Sequence, residues 1–156
     1  MRFFRSKILF VAWLLCCGLL VSCKQSQKTS VPSYPVHLVI KSDKYPHFVL
    51  GNASQTLTFT ERKSQTDYIG YAGVVVSIDA LGENYHAHDM ACPRCLNREK
   101  PVEVVGMYAE CPICHEQYDL TYGYAFPTKG ISREPLRKYT ATYSSFFLSW
   151  KLTITP

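Results

Sequence analysis

The chain has 156 residues, of which 47% are hydrophobic and 19% are charged. This length fits one domain, and the composition excludes a disordered chain. The formal net charge is +5, and residues 1–22 hold three of the basic residues (Arg2, Arg5 and Lys7) and no acid. The remainder is therefore close to neutral. A nucleic-acid partner normally requires a concentrated basic face, and a net charge this small gives little reason to expect one, so no nucleic acid is expected to bind.

The N-terminus is typical of an exported protein. Its basic start leads into an apolar run, Ile8–Val21, that is shorter than the ~20 residues of a membrane span and suits a signal peptide. The following Leu20-Val21-Ser22-Cys23 resembles the bacterial lipobox, whose cysteine becomes the lipidated first residue. We therefore expect a lipoprotein signal peptide over residues 1–22 and lipidation of Cys23. A cleaved signal with an incidental cysteine is the alternative.

Residues 23–35 are polar and contain Pro32 and Pro35, so they are predicted to form a flexible tether between the lipid and the domain. A lipid on Cys23 makes the membrane the first expected partner, and an envelope protein is a candidate second partner. The resemblance to bacterial lipoproteins implies that a protein kept at the inner membrane has Asp directly after the lipidated cysteine. Here that residue is Lys24, which favours the outer membrane. The expected location is the bacterial cell envelope, at the outer membrane and facing the periplasm.

Beyond residue 35 the apolar residues alternate or form short runs, as they do in β-strands. No stretch after residue 30 carries the apolar spacing and caps of a helix. The sequence therefore predicts a mostly β fold, an antiparallel sandwich or small barrel over residues 36–156. The predicted strands are 36–40, 57–60, 71–78, 84–88, 102–105, 107–110, 138–143 and 146–155.

Four cysteines form two Cys-x2-Cys motifs, Cys92-Pro93-Arg94-Cys95 and Cys111-Pro112-Ile113-Cys114, with 15 residues between them. Such a turn points both sulfurs at one ion, and two turns joined by a hairpin supply four thiolates in a tetrahedron. Zinc accepts that set, and iron uses the same ligands as a single ion or a 2Fe-2S cluster. In an oxidising compartment, disulfides are the alternative, and reactive redox chemistry is a third.

The C-terminal part of the chain resembles the Rieske domain in the order and spacing of its motifs. The matching residues are 85–93, 109–120, Gly123, Gly130 and 135–139, and the resemblance covers roughly residues 70–156. It implies an antiparallel β sandwich with a small metal-binding subdomain of two hairpin loops, at about residues 88–135. It also implies kinship with small bacterial envelope lipoproteins that carry a Rieske-like domain.

The metal ligands that the resemblance implies do not carry over in full. Cys92 and Cys111 match the two family cysteines, whereas Arg94 and Cys114 occupy the two histidine positions and Cys95 is an additional thiol. Arg94 stays protonated and cannot bind a metal. The histidine-ligated iron of the family, and the quinol chemistry that depends on it, are therefore not expected here.

Export also favours zinc over a cluster. Folded iron–sulfur proteins cross the membrane with a twin-arginine signal, and here Arg2 and Arg5 are separated by two phenylalanines. We expect a non-catalytic binding module for a structural zinc ion or a single iron, with the ligands Cys92, Cys95, Cys111 and Cys114. The alternatives are a 2Fe-2S electron-transfer protein and a metal-free envelope protein stapled by disulfides. No catalytic residues are assigned, since no nucleophile–base order or carboxylate pair stands out.

Other polar residues near the cysteines have ordinary structural interpretations. His86 and His88, on the strand before the first motif, are more readily explained as strand-surface residues than as replacement ligands. Asp89 and Asp119 are expected to cap turns. His115 is expected to be a loop residue that could tune metal affinity without binding the metal.

Overall fold

The computed structural model describes residues 28–156, and every regular element in this range is a β-strand. The predicted signal peptide, residues 1–22, and the predicted lipidation site, Cys23, lie outside the described residues. Within the described range no helix has the length and apolar character to cross a membrane. The strands are β1 Val36–Lys41, β2 Thr56–Phe59, β3 Tyr68–Ile69, β4 Val74–Ile78, β5 Tyr85–Asp89, β6 Glu103–Val105, β7 Tyr108–Glu110, β8 Gln117–Asp119, β9 Phe126–Lys129, β10 Lys138–Phe146 and β11 Ser149–Thr155.

Seven strands form one antiparallel sheet in the order β2-β4-β5-β10-β11-β1-β3. Along β1, Val36, Leu38 and Ile40 are buried and the residues between them are exposed, as expected for a strand with one face on a core. A single buried core is shared by residues from six strands of this sheet: β1, β2, β4, β5, β10 and β11. The sheet therefore curves around this core, and strands near its two ends face each other across it. The predicted mostly β, antiparallel fold is confirmed.

β4 is buried along its whole length and connects two cores. Val74, Val76 and Ile78 face the main core, whereas Val75 belongs to a second core on the opposite face. A strand that is buried on both faces requires a continuous apolar run. This is why β4 lies within the clearest strand signal of the sequence.

Four short strands form a second antiparallel sheet in the order β6-β7-β8-β9. It lies inside the range 88–135 that the sequence assigns to the metal subdomain. Gly106, with φ +61°, turns the chain between β6 and β7, so the strands predicted at 102–105 and 107–110 form a hairpin. The small sheet packs on the Val75 side of the large sheet, through a core that includes Cys92 and Cys111. The cysteine motifs therefore lie where the two sheets meet.

The chain contacts the domain before β1 begins. Val31 is buried, and its carbonyl accepts a hydrogen bond from Arg137 Nε at 2.8 Å. The Ser30 N–H donates to the Glu134 carboxylate at 2.6 Å. From Ser30 onward, the segment predicted to be a tether is therefore attached to the domain, and residues 23–27 lie outside the described range.

Candidate metal centre

The cysteines occupy two similar turns, which we name knuckle 1 (residues 92–95, after β5) and knuckle 2 (residues 111–114, between β7 and β8). In each knuckle, the residue after the second cysteine donates its N–H to the carbonyl of the first cysteine at 2.9 Å. These residues, Leu96 and His115, have positive φ angles of +47° and +56°. The two knuckles therefore take the same turn type, as their repeated Cys-Pro-x-Cys sequence predicts.

The knuckles bring four sulfurs together. The Sγ atoms of Cys92, Cys95, Cys111 and Cys114 all lie within 4.8 Å of one another. Two of these distances join the knuckles directly, 3.6 Å from Cys92 to Cys114 and 3.8 Å from Cys111 to Cys95. Four sulfurs arranged tetrahedrally at ~2.3 Å from one ion would stand ~3.8 Å apart. The four residues predicted from the sequence thus form a group that could hold a metal ion.

The backbone of knuckle 2 stabilises a thiolate. Burial raises the pKa of Cys111, but hydrogen bonds from the N–H groups of Cys114 and Ile113, together with those from the thiols of Cys114 and Cys92, outweigh it, and the net pKa is lowered. Burial, followed by neighbouring thiols, raises the pKa of Cys95, and burial also raises that of Cys114. One thiolate is favoured while additional ones would repel it. A cation at the centre would remove that repulsion and allow all four sulfurs to ionise.

The burial of the four cysteines divides the centre into two sides. Cys92 and Cys111 are buried, whereas Cys95 and Cys114 are partly exposed, so the group can be reached from solvent on one side only. Four thiolates complete the coordination shell of zinc and leave no open position for water or substrate. A zinc ion bound in this way would therefore have no place for a substrate to react.

Tyr118 and Glu116 form a buried polar pair behind the sulfurs. The Tyr118 hydroxyl lies 3.3 Å from Cys92 Sγ and donates to Glu116 Oε2 at 3.1 Å. Both residues are fully buried. Burial, together with the contact to Cys92, raises the pKa of Tyr118, so its hydroxyl stays protonated beside the sulfur.

Glu116 also fixes the loop that follows β9. Its Oε1 accepts hydrogen bonds from the N–H groups of Ile131 and Ser132, at 3.2 and 2.8 Å. A β-carbon on Gly130, where φ is +113°, would lie 2.3 Å from Glu116 Cγ, so the loop needs glycine there. Arg94 Nη1 is 3.5 Å from the same Oε1. Arg94, which the Rieske resemblance would align with a histidine, therefore faces a carboxylate.

The two strand histidines lie outside the sulfur group. His86 Nε2 is 3.6 Å from Asp79 Oδ2, and His88 Nε2 donates to the Gly123 carbonyl at 3.2 Å. The expected surface position is wrong for His88, which is fully buried, and burial lowers its pKa to about 3. Among residues 28–156, the four cysteines are the group with metal-binding spacing, and neither histidine belongs to it.

Asp89 has a larger role than the predicted turn cap. It accepts the N–H of Ala91 at 2.8 Å, as a turn cap does. It also accepts the Tyr71 N–H at 2.6 Å and the Tyr139 hydroxyl at 2.7 Å, which ties the end of β5 to β10 just before knuckle 1. The turn cap predicted at Asp119 is confirmed by the N–H that it accepts two residues further on.

Searches with protein-family models and against curated proteins found no match for this chain. The Rieske resemblance therefore depends on the sequence motifs and stays a prediction. The fold and the site by themselves define the class of protein. Over the described residues, this is an all-β protein with a compact four-cysteine group that could hold a metal ion.

Proposed function

We propose that this chain is a membrane-anchored bacterial lipoprotein whose Rieske-like β domain binds one metal ion, zinc or a single iron, through four cysteines. The observation that supports this proposal is the convergence of all four sulfurs within 4.8 Å. The domain is a binding module and not an enzyme. Its lipid is carried by Cys23, at the outer membrane facing the periplasm.

The spacing of the sulfurs suits one ion better than a two-iron cluster. In a 2Fe-2S cluster each iron takes two cysteines and sulfides bridge the irons, so the two cysteine pairs are spread apart along the iron–iron line. A single ion instead needs all sulfurs at ~3.8 Å spacing. All four sulfurs lie within 4.8 Å of one another, so no two pairs of them are spread apart, and this close grouping supports the single ion.

The position of the site supports a structural role for the metal. Knuckle 1 continues from β5 of the large sheet, and knuckle 2 connects β7 to β8 of the small sheet. An ion shared by both knuckles would join the two sheets directly. Binding by four thiolates is worth on the order of ten kcal/mol in small zinc domains, which is comparable to the whole stability of a typical domain.

The test uses the full chain, expressed with its own N-terminus in a bacterium and purified from the membrane fraction. Bound metals are measured by elemental analysis, and acylation of the chain is followed with a labelled fatty acid. Two single cysteine variants form a matched pair: Cys95→Ser removes one proposed metal ligand, and Cys23→Ser removes the proposed lipidation site.

We expect one metal ion per chain in the parent, with metal lost in Cys95→Ser and acylation lost in Cys23→Ser, each variant keeping the other property. Two irons with two acid-labile sulfides would replace the proposal by the electron-transfer alternative. A metal-free chain with disulfides, which the sulfur distances would place between Cys92 and Cys114 and between Cys95 and Cys111, would replace it by the stapled envelope protein. Metal binding without acylation would refute only the anchored part.

A further inference from the structure

The hairpin between β10 and β11 ends in three exposed apolar side chains, which we name the hydrophobic tip: Phe146, Phe147 and Leu148. Their exposed fractions are 74%, 93% and 103%. Phe146 pairs with Ser149, so Phe147 and Leu148 form the two-residue loop of the hairpin. Single exposed apolar residues are ordinary on a protein surface, but three adjacent ones at the end of a protruding hairpin call for a binding partner.

The turn itself does not explain these residues. Phe147 has a φ of +53° at the first position of the two-residue loop, where Gly or Asn is the usual residue. A phenylalanine there combines backbone strain with nearly complete exposure of its ring. Both costs are avoided by the ordinary turn residues, so the folded chain itself does not account for the sequence of the tip.

Polar and basic residues surround the base of the tip. Ser144, Ser145 and Ser149 are exposed next to it. Lys41 and Lys151 face each other on β1 and β11 and line the same surface depression as Phe146, together with one acid, Asp43. From its end inward, the hairpin thus presents apolar rings, then hydroxyl groups, then mainly positive charge. This order matches the acyl chains, the polar interface and the anionic headgroups of a lipid bilayer.

We propose that the hydrophobic tip inserts into the interface of a lipid bilayer containing anionic lipids. The size of the tip favours lipid over a protein partner. Two phenylalanines and a leucine offer about 500 Å² of side-chain surface, whereas a stable protein interface buries ~800 Å² on each partner. A convex end of three apolar residues enters a bilayer without needing a matching groove.

This contact is separate from the proposed lipid on Cys23. β10 runs from Lys138, beside the Arg137 that binds Val31, to Phe146 at the tip. The described N-terminal residues therefore lie at the opposite end of β10, ~26 Å away at the rise of a β-strand. The knuckles lie toward that same end, because Lys138 pairs with His88 shortly before knuckle 1. The proposed contact of the tip is therefore a second membrane contact, and it can be tested whether or not the N-terminus is acylated.

The experiment places a tryptophan at the tip of the full chain. Phe147→Trp is compared with Val105→Trp, which replaces a 79% exposed residue on the small sheet. Both variants also carry Trp13→Phe, so that Trp150 is the one native tryptophan left. Its emission is measured in a chain that carries only Trp13→Phe and is subtracted. The chains are reconstituted in phosphatidylethanolamine–phosphatidylglycerol vesicles that contain acyl-chain-brominated lipid, and acrylamide serves as the quencher from water.

We expect brominated lipid to quench the Phe147→Trp emission about fivefold more than that of Val105→Trp. Acrylamide, which quenches from water, should instead quench the Val105→Trp emission more strongly. Adding Lys41→Gln and Lys151→Gln should weaken the lipid quenching only when phosphatidylglycerol is present. Equal quenching of both tryptophans by acrylamide, with no effect of brominated lipid, would overturn the proposal. The proposal would also be overturned if, in detergent without lipid, the tip tryptophan were protected from acrylamide and this protection increased with protein concentration. Such a result would indicate contact with a second copy of the chain. Metal content, measured on the same samples, reports separately on the cysteine site.

Discussion

The buried carboxylate of Glu116 allows a quantitative test of how knuckle 2 is supported. Glu116→Ala removes the acceptor for the N–H groups of Ile131 and Ser132, and the partner of the Tyr118 hydroxyl. A hydrogen bond to a charged group contributes about 1.5–3 kcal/mol. The loop around Ile131 is exposed and can shift toward water, which reduces the loss. We expect the free energy of unfolding to fall by about 3 kcal/mol in total, including the small cavity left behind.

Glu116→Gln is the matched control, because it keeps the size of the side chain and one carbonyl oxygen. That oxygen can still accept the N–H groups of Ile131 and Ser132, so the expected loss is about 1 kcal/mol. Both variants are compared with the parent by urea unfolding of metal-saturated protein, followed by tryptophan fluorescence. Losses within about 0.5 kcal/mol of each other would refute the argument that the acceptor role of Glu116 fixes this loop.

Three other contacts give predictions that the same unfolding assay measures. Gly130→Ala should cost about 3 kcal/mol, because the new β-carbon would press on Glu116 in a backbone with φ +113°; an unchanged midpoint would contradict this. His88 has a pKa of about 3 in the fold, whereas the unfolded chain takes up this proton near pH 6.5. The contribution of neutral His88 to stability is therefore present above about pH 6.5 and is lost as the pH falls toward about 3. Between about pH 7.5 and about pH 5, the free energy of unfolding of the parent should fall by about 2 kcal/mol more than that of His88→Phe. Parallel pH curves for the two proteins would show that His88 does not titrate this way. Tyr139→Phe should cost about 2 kcal/mol, since the hydroxyl donates to buried Asp89 at 2.7 Å, and a loss near zero would mean that water replaces it.

The large sheet could be predicted because its strands bury one or both faces regularly. β1 alternates buried and exposed residues, and β4 is buried throughout, so each leaves its own pattern in the sequence. The small sheet leaves a weaker pattern: β9 contains Pro127 and has no buried residue. The predicted strand 146–155 is wrong at its start, because the chain turns at Phe147 and Leu148 without any residue that usually marks a turn.

The candidate site divides in a similar way. The four cysteines could be predicted because the geometry of each knuckle depends on residues close together in the sequence. Glu116 and His88 could not, because their burial depends on residues brought from elsewhere in the chain. Glu116 is covered by the loop at Gly130, and His88 contacts the carbonyl of Gly123. In sequence alone, an acid beside a cysteine motif looks like an exposed residue, since most acids are exposed, and a histidine on a strand carries no sign of complete burial.

The two sheets should respond differently when the proposed metal is removed. Knuckle 1 is also held by the hydrogen bond between Asp89 and Tyr139 of β10, and the main core of the large sheet contains no cysteine. The core beneath the small sheet, in contrast, includes Cys92 and Cys111 and therefore depends on both knuckles. Treatment with a strong chelator under reducing conditions should increase amide hydrogen exchange in β6, β7, β8 and β9 while β4, β10 and β11 stay protected. Equal loss of protection in both sheets would show that the domain unfolds as one unit without metal. No change in either sheet would show that the four sulfurs do not depend on an ion.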